Sequence, residues 1–120
     1  MTGSWQQANT PLRDVREMPN YRSAMRGQPA VYMLGSRRNG TLYTGVTSEL
    51  VKRTWEHKHD AVDGFTKKHG VHQLVWYELH ETMASAICRE KALKNWKRNW
   101  KVDLIEQSNA EWRDLYSSIL

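Results

Sequence analysis

A chain of 120 residues with one cysteine, Cys88, can form neither an intramolecular disulfide nor a cysteine-rich zinc site, and this length suits a single domain with a modest core. No apolar run is long enough to span a bilayer and the first residues lack an apolar signal core, so the expectation is a cytoplasmic protein with no membrane partner. The net charge of +5 points instead to a polyanionic partner.

Residues 1–29 are polar, hold all three prolines and show no sustained hydrophobic period. They read as a flexible arm ahead of a domain over 30–120. Arg13, Arg16, Arg22 and Arg26 make this arm either a nucleic-acid contact or a solvated tail, and Leu12–Met18 has a weak helical pattern. Two apolar runs follow, about Ala30–Leu34 and Thr41–Val46, joined through Asn39-Gly40. Asn-Gly between two strand-like runs predicts a hairpin with positive φ at both central residues. With that two-residue loop, Arg38 faces Thr41 and Ser36 faces Tyr43. Side chains alternate along a strand, so Tyr32 shares a face with Tyr43 and Gly45. A four-residue loop keeps this outcome and a three-residue loop reverses it.

Ser48 is positioned to cap a helix running to about His59, with Leu50, Val51, Thr54 and Trp55 as its buried stripe. Asp60–Gly70 reads as a loop with a short helical turn at Phe65–His69. Val71–Leu79 is rich in Val, Leu, Trp and Tyr and predicts a third strand. Thr82 then caps a long helix, about Met83–Asn99. A shorter helix, Val102–Gln107, follows, with a last turn or helix in Asn109–Ser117 packed through Trp112 and Leu115. The natural arrangement is α/β of the α+β type: a small, mostly antiparallel sheet with helices packed on one or both faces.

Arg53 and His57 stand one helical turn apart and project side by side. With Glu49 they form either a surface charge ladder or part of a site. Glu90 falls in the same arc as Met83, Ala86 and Leu93. A carboxylate in an apolar stripe needs a cation, a metal or the edge of the core. Ion pairing to Arg89, Lys94 or a distant arginine competes with metal binding. Residues 89–101 contain six Lys/Arg and one acid, with Trp96 and Trp100 interleaved. This is either a phosphate-binding face or solvated surface over core tryptophans. Cys88 reads as a packing residue. The five histidines match no familiar zinc framework, and no P-loop or nucleophile elbow is present.

Together these residues resemble the GIY-YIG nuclease superfamily, in its small stand-alone bacterial branch. Ala30-Val31-Tyr32 stands at the first motif and Tyr43-Thr44-Gly45 at the second. Arg53 and His57 follow at the expected offset, and Glu90 matches the family glutamate. The segments GFTKKHGV, LVWYE and REKALKNWKRNWKVDLIEQSNAEWRDL extend the likeness over about residues 30–116. Ala30 replaces the usual first-motif glycine, and Asn109-Ala110 replaces the branch's Asn-Pro. The resemblance implies a three-stranded antiparallel sheet flanked by helices. It also implies hydrolysis of DNA phosphodiester bonds with one divalent cation, Mg²⁺ or Mn²⁺. DNA, branched or damaged forms included, would be the partner, with RNA a further substrate to test.

In the roles so implied, Glu90 holds the metal and Arg53 stabilises charge on the phosphate. Tyr32 or His57 acts as the base, and Tyr43 bonds the phosphate or the water. Gly45, Lys91, Lys94, Lys97, Arg98 and Asn109 are candidate substrate contacts, with Asn99 the alternative to Asn109. The rival reading is a non-catalytic nucleic-acid-binding module with the same fold.

Overall fold

The computed structural model describes residues 26–120. The proposed arm up to residue 25, with Arg13, Arg16, Arg22 and the pattern at Leu12–Met18, lies outside the described residues. Strands β1 (Arg26–Gly35), β2 (Leu42–Glu49) and β3 (Gln73–Leu79) form one antiparallel sheet in the order β2-β1-β3. Helices α1 (Leu50–Lys58) and α2 (Phe65–His69) lie between β2 and β3 in the chain. Helices α3 (Met83–Lys94) and α4 (Arg98–Ser108) follow β3, and a 3₁₀ turn closes the chain at Tyr116–Ser118.

The central position of β1 explains its sequence. Ala30, Val31, Tyr32, Met33 and Leu34 are all buried, because a central strand covered on both faces has no solvent side. Ala30, Tyr32 and Leu34 point into one cluster with Leu50, Val71, Leu74 and Ile119. Val31 and Met33 point into the other, with Val75, Trp76, Ala86, Leu93, Ile105 and Trp112. The sheet is therefore covered on both sides: by α1 and the chain end on one, and by α3 and α4 on the other.

The hairpin differs from expectation in its turn but not in its outcome. Ser36 N–H donates to the Thr41 carbonyl at 3.0 Å, and Gly40 N–H to the Arg37 carbonyl at 2.9 Å, so residues 37–40 form a four-residue loop. Asn39 has φ of 57°, while Gly40 has none of the positive φ expected of it. Leu34 faces Tyr43 and Tyr32 faces Gly45. That register keeps Tyr32 and Tyr43 on one face.

Several element ends move. β1 begins at Arg26, within the expected arm, and pairs Arg26 with Glu49 across an irregularity before Ala30. Ser48 is no helix cap: β2 continues to Glu49, which occupies the cap position without a side-chain bond, and its carboxylate accepts Gly27 N–H at 3.1 Å. Tertiary pairing of the strand ends outweighs the local capping preference. β3 starts at Gln73 rather than Val71. The expected helix to Asn99 ends at Lys94. Asn95 Nδ2 donates to the Lys91 carbonyl at 3.1 Å, the chain turns through Trp96, and α4 starts at Arg98. Thr82 caps α3 as expected, accepting Ser85 N–H at 3.1 Å. Trp55, expected inside, is 47% exposed, and Met83 and Cys88 are also exposed. No helix among the described residues is long and apolar enough to cross a membrane.

Candidate active site

Two neighbouring residues on paired strands build the centre of the site. Tyr32 and Gly45 are register partners, and a Cβ at Gly45 would stand 2.5 Å from the Tyr32 hydroxyl and 2.6 Å from Cζ. The absent side chain is what lets the Tyr32 ring lie across β2. The Tyr32 and Tyr43 ring centroids are 6.3 Å apart.

Helix α1 then delivers His57 to this pair. Its imidazole is 3% exposed, so Glu49, Arg53 and His57 are not a simple surface ladder. His57 Nε2 lies 3.2 Å from the Tyr32 hydroxyl and Nδ1 lies 2.9 Å from Thr66 Oγ1, itself buried on α2. The Tyr43 ring is 5.6 Å from His57. A continuous hydroxyl–imidazole–hydroxyl chain thus runs from β1 through α1 to α2. Thr66 was not among the residues singled out from the sequence. Its signal would have been a lone hydroxyl in the otherwise basic segment after Phe65.

Burial opposes ionisation of either ring. Burial pushes the Tyr32 phenol well above its ordinary range, helped by Tyr43 and Glu90 and opposed by Arg53. Burial pushes His57 below the usual imidazole range, and the Arg53 guanidinium adds to that effect. Arg53 is part-exposed and has only a 3.6 Å contact to Glu56, which leaves guanidinium surface open toward solvent.

Glu90 sits between buried Ala86 and Leu93 on α3, close enough to act on the Tyr32 phenol electrostatically. Its side chain is 13% exposed and Oε2 lies 3.0 Å from the Lys94 ammonium, so the ion-pair alternative from the sequence is realised. Among the described residues, no group of three or more His, Cys, Asp or Glu side chains could hold a metal ion. The donor set near the tyrosines is one carboxylate, Glu90. That chemistry fits a hard, oxygen-loving divalent cation with most positions filled by water or phosphate.

The basic run is divided in function. Arg89 binds Glu78 at 3.1 Å and stands over the Trp96 ring, and the Arg98 guanidinium donates to the Gly40 carbonyl at 2.6 Å. Arg98 therefore fastens α4 to the hairpin turn. Lys91 is exposed, and exposed Lys97 stands over exposed Trp100 at 5.6 Å. Burial, with Arg98 and Lys94 nearby, pushes the Lys101 ammonium down.

Asn109 belongs elsewhere. It is buried, with Nδ2 donating to the Val75 and Arg113 carbonyls at 3.1 and 2.8 Å and Oδ1 accepting Arg113 N–H at 3.0 Å. Its amide closes the turn after α4, and backbone partners occupy it. Asn99, the alternative, lies exposed on α4.

The antiparallel sheet in the order β2-β1-β3, with helices on both faces, thus carries Tyr32, Tyr43, Arg53, His57 and Glu90. The family model described as the GIY-YIG catalytic domain matches residues 28–103, and the chain belongs to that family. Within it, the chain is similar to proteins named UPF0213. One from Staphylococcus saprophyticus is 33% identical over 70 residues, covering 58% of this chain and 85% of the relative. One from Clostridium perfringens is 34% identical over 79 residues, covering 66% and 84%. The solution NMR structure of a UPF0213 protein from Bacillus halodurans aligns with a TM-score of 0.47 and 23% identity, over 72% of this chain and 92% of that one.

Proposed function

We propose that this protein is an endonuclease that hydrolyses DNA phosphodiester bonds with one divalent cation, Mg²⁺ or Mn²⁺, held at Glu90. The observation that carries the reading is the buried Tyr32–His57–Thr66 chain beside Tyr43, with Arg53 and Glu90 both acting on it electrostatically. A binding module has no need of a proton-conducting chain or a carboxylate among cations.

His57 is the proton acceptor. Held neutral near pH 7, it keeps a lone pair on Nε2 when Nδ1–H donates to Thr66 Oγ1. Tyr32 remains a phenol, accepts a hydrogen bond from the attacking water and passes its own proton to His57 as the water's proton arrives. A new bond forms from the water oxygen to phosphorus, and the bond to the leaving 3′ oxygen breaks. Arg53 neutralises charge growing on the non-bridging oxygens, and Tyr43 donates to one of them. When bound, the cation supplies Lewis-acid stabilisation of the phosphate and the leaving oxygen. Lys94, 3.0 Å from Glu90 Oε2, positions the carboxylate that would hold the cation.

The test is nicking of supercoiled plasmid with Mg²⁺ or Mn²⁺. Wild-type protein should cut, EDTA should abolish cutting, and Glu90→Gln should lose at least about a hundredfold in rate, as expected for loss of a main electrostatic contributor. Arg53→Ala should lose turnover while retaining most DNA binding. Cutting that persists in Glu90→Gln would remove the metal assignment. Salt-sensitive binding without any metal-dependent cutting would favour the binding-module reading.

A further inference from the structure

The site described above ends at Tyr43, but the aromatic surface does not. Phe65 stacks on Tyr43 with centroids 6.2 Å apart and an interplanar angle of 27°, and it also leans on His69 at 4.4 Å. Despite both contacts, Phe65 is 45% exposed. Its place is tied to the chemistry, because the next residue, Thr66, is the buried partner of His57 Nδ1. Moving Phe65 would mean moving that hydrogen bond. Among the described residues, the other exposed aromatics lie against rings outside the site: Trp55 covers His59 at 4.2 Å, and Trp100 meets Trp96 edge-on.

We propose that Phe65 is a stacking platform for an unpaired base next to the scissile phosphate, which makes single-stranded DNA the preferred substrate. This rests on the nuclease reading above. The ordinary alternative is a surface phenylalanine whose role ends with packing on Tyr43 and His69, since single exposed apolar residues are common.

Three features favour the platform. The exposed ring is continuous with a ring of the site, so a base laid on it stays beside the reacting phosphate. Lys67, Lys68 and His69 are exposed immediately after it, and the contact of Lys67 to Asp63 at 3.4 Å is a weak exposed pair that leaves its charge available. An exposed aromatic flanked by cations is the pairing that binds single strands: charge follows the backbone and the ring takes a base face. In duplex DNA both faces of each base are covered by neighbours, so the ring can add binding only where a base is unpaired.

The experiment measures fluorescence anisotropy of a labelled mixed-sequence oligonucleotide, single-stranded and annealed to its complement, with EDTA present so that nothing is cut. For Phe65→Ala and for Phe65→Leu, the ratio of single-strand to duplex affinity should fall about tenfold. Phe65→Trp should restore it, since a flat face returns. Leucine keeps apolar bulk against Tyr43, so a leucine variant that matches wild type reduces Phe65 to packing and overturns the proposal. Equal loss on both DNA forms, or no binding to either, overturns it as well. The two readings then separate in a cutting assay with Mg²⁺ or Mn²⁺. Phe65-dependent single-strand binding without any cutting leaves the platform standing and removes the nuclease reading. Cutting with a single-strand preference indifferent to Phe65 does the reverse.

Discussion

At Gly45 the site depends on a missing side chain. The Tyr32 ring occupies the space a methyl group would fill, so Gly45→Ala forces the buried ring and the Tyr32–His57 bond apart. The expected cost is about 1–3 kcal/mol of stability, read from a urea unfolding curve, together with loss of cutting. His57 carries a second residue-level prediction. Its folded-state pKa is depressed, so the unfolded chain binds the proton more tightly and protonation favours unfolding. Stability should fall as pH drops below about 6.5, and continue falling until the lowered folded-state pKa is passed. Comparing unfolding midpoints at several pH values for wild type and His57→Gln checks this, the variant losing that part of the acid sensitivity. Cutting should likewise persist below the usual imidazole range and fail only at lower pH.

Between elements, a charged side-chain network ties the end of β3 to α3. Glu78 Oε1 lies 2.7 Å from His80 Nε2 and 3.1 Å from Arg89 Nε, and His80 Nδ1 lies 2.6 Å from Ser85 Oγ. The Glu78 side chain is only 12% exposed, so solvent does not replace a lost partner easily. Glu78→Gln should cost about 2 kcal/mol in a denaturant titration, since hydrogen bonds to a charged group are the strong ones. Because α3 also carries Glu90, the same variant should weaken cutting without altering any residue proposed to act on substrate. Legibility was uneven at this scale. Thr82 as a cap and the short Phe65–His69 helix were readable, since both depend on a few adjacent residues. The break at Asn95–Lys97 was not. The helical spacing of charges and tryptophans continues through it, and what fixes the new direction is Arg98 reaching the Gly40 carbonyl across the fold. Trp55 misled for a related reason: helical phase puts it beside Val51, but it is 47% exposed and its ring stacks on His59 at the end of its own helix.

For the molecule as a whole, the positive charge of the second half has two uses. Arg89, Lys94 and Arg98 are committed to Glu78, Glu90 and Gly40, whereas Lys91 and Lys97 face solvent. Duplex binding should therefore follow the exposed pair. Removing both in Lys91→Ala/Lys97→Ala should lower the slope of log affinity against log salt by about two, roughly one per phosphate contact. An unchanged slope would show that this face does not meet the backbone.

What the sequence determined by itself was local and periodic: three strands, the main helices, and two tyrosines sharing a face. Strand alternation is a two-residue rule and needs no distant contact. Even there, loop length decided between outcomes, and the four-residue turn is held by Ser36, Thr41, Arg37 and Gly40 together. Only the tertiary structure buried His57 between Tyr32 and Thr66, brought Glu90 within electrostatic reach of Tyr32, assigned Asn109 to a turn, and left Phe65 open on the edge of the site. Those facts join residues far apart in sequence, where no local preference acts and packing across the sheet decides which side chains meet.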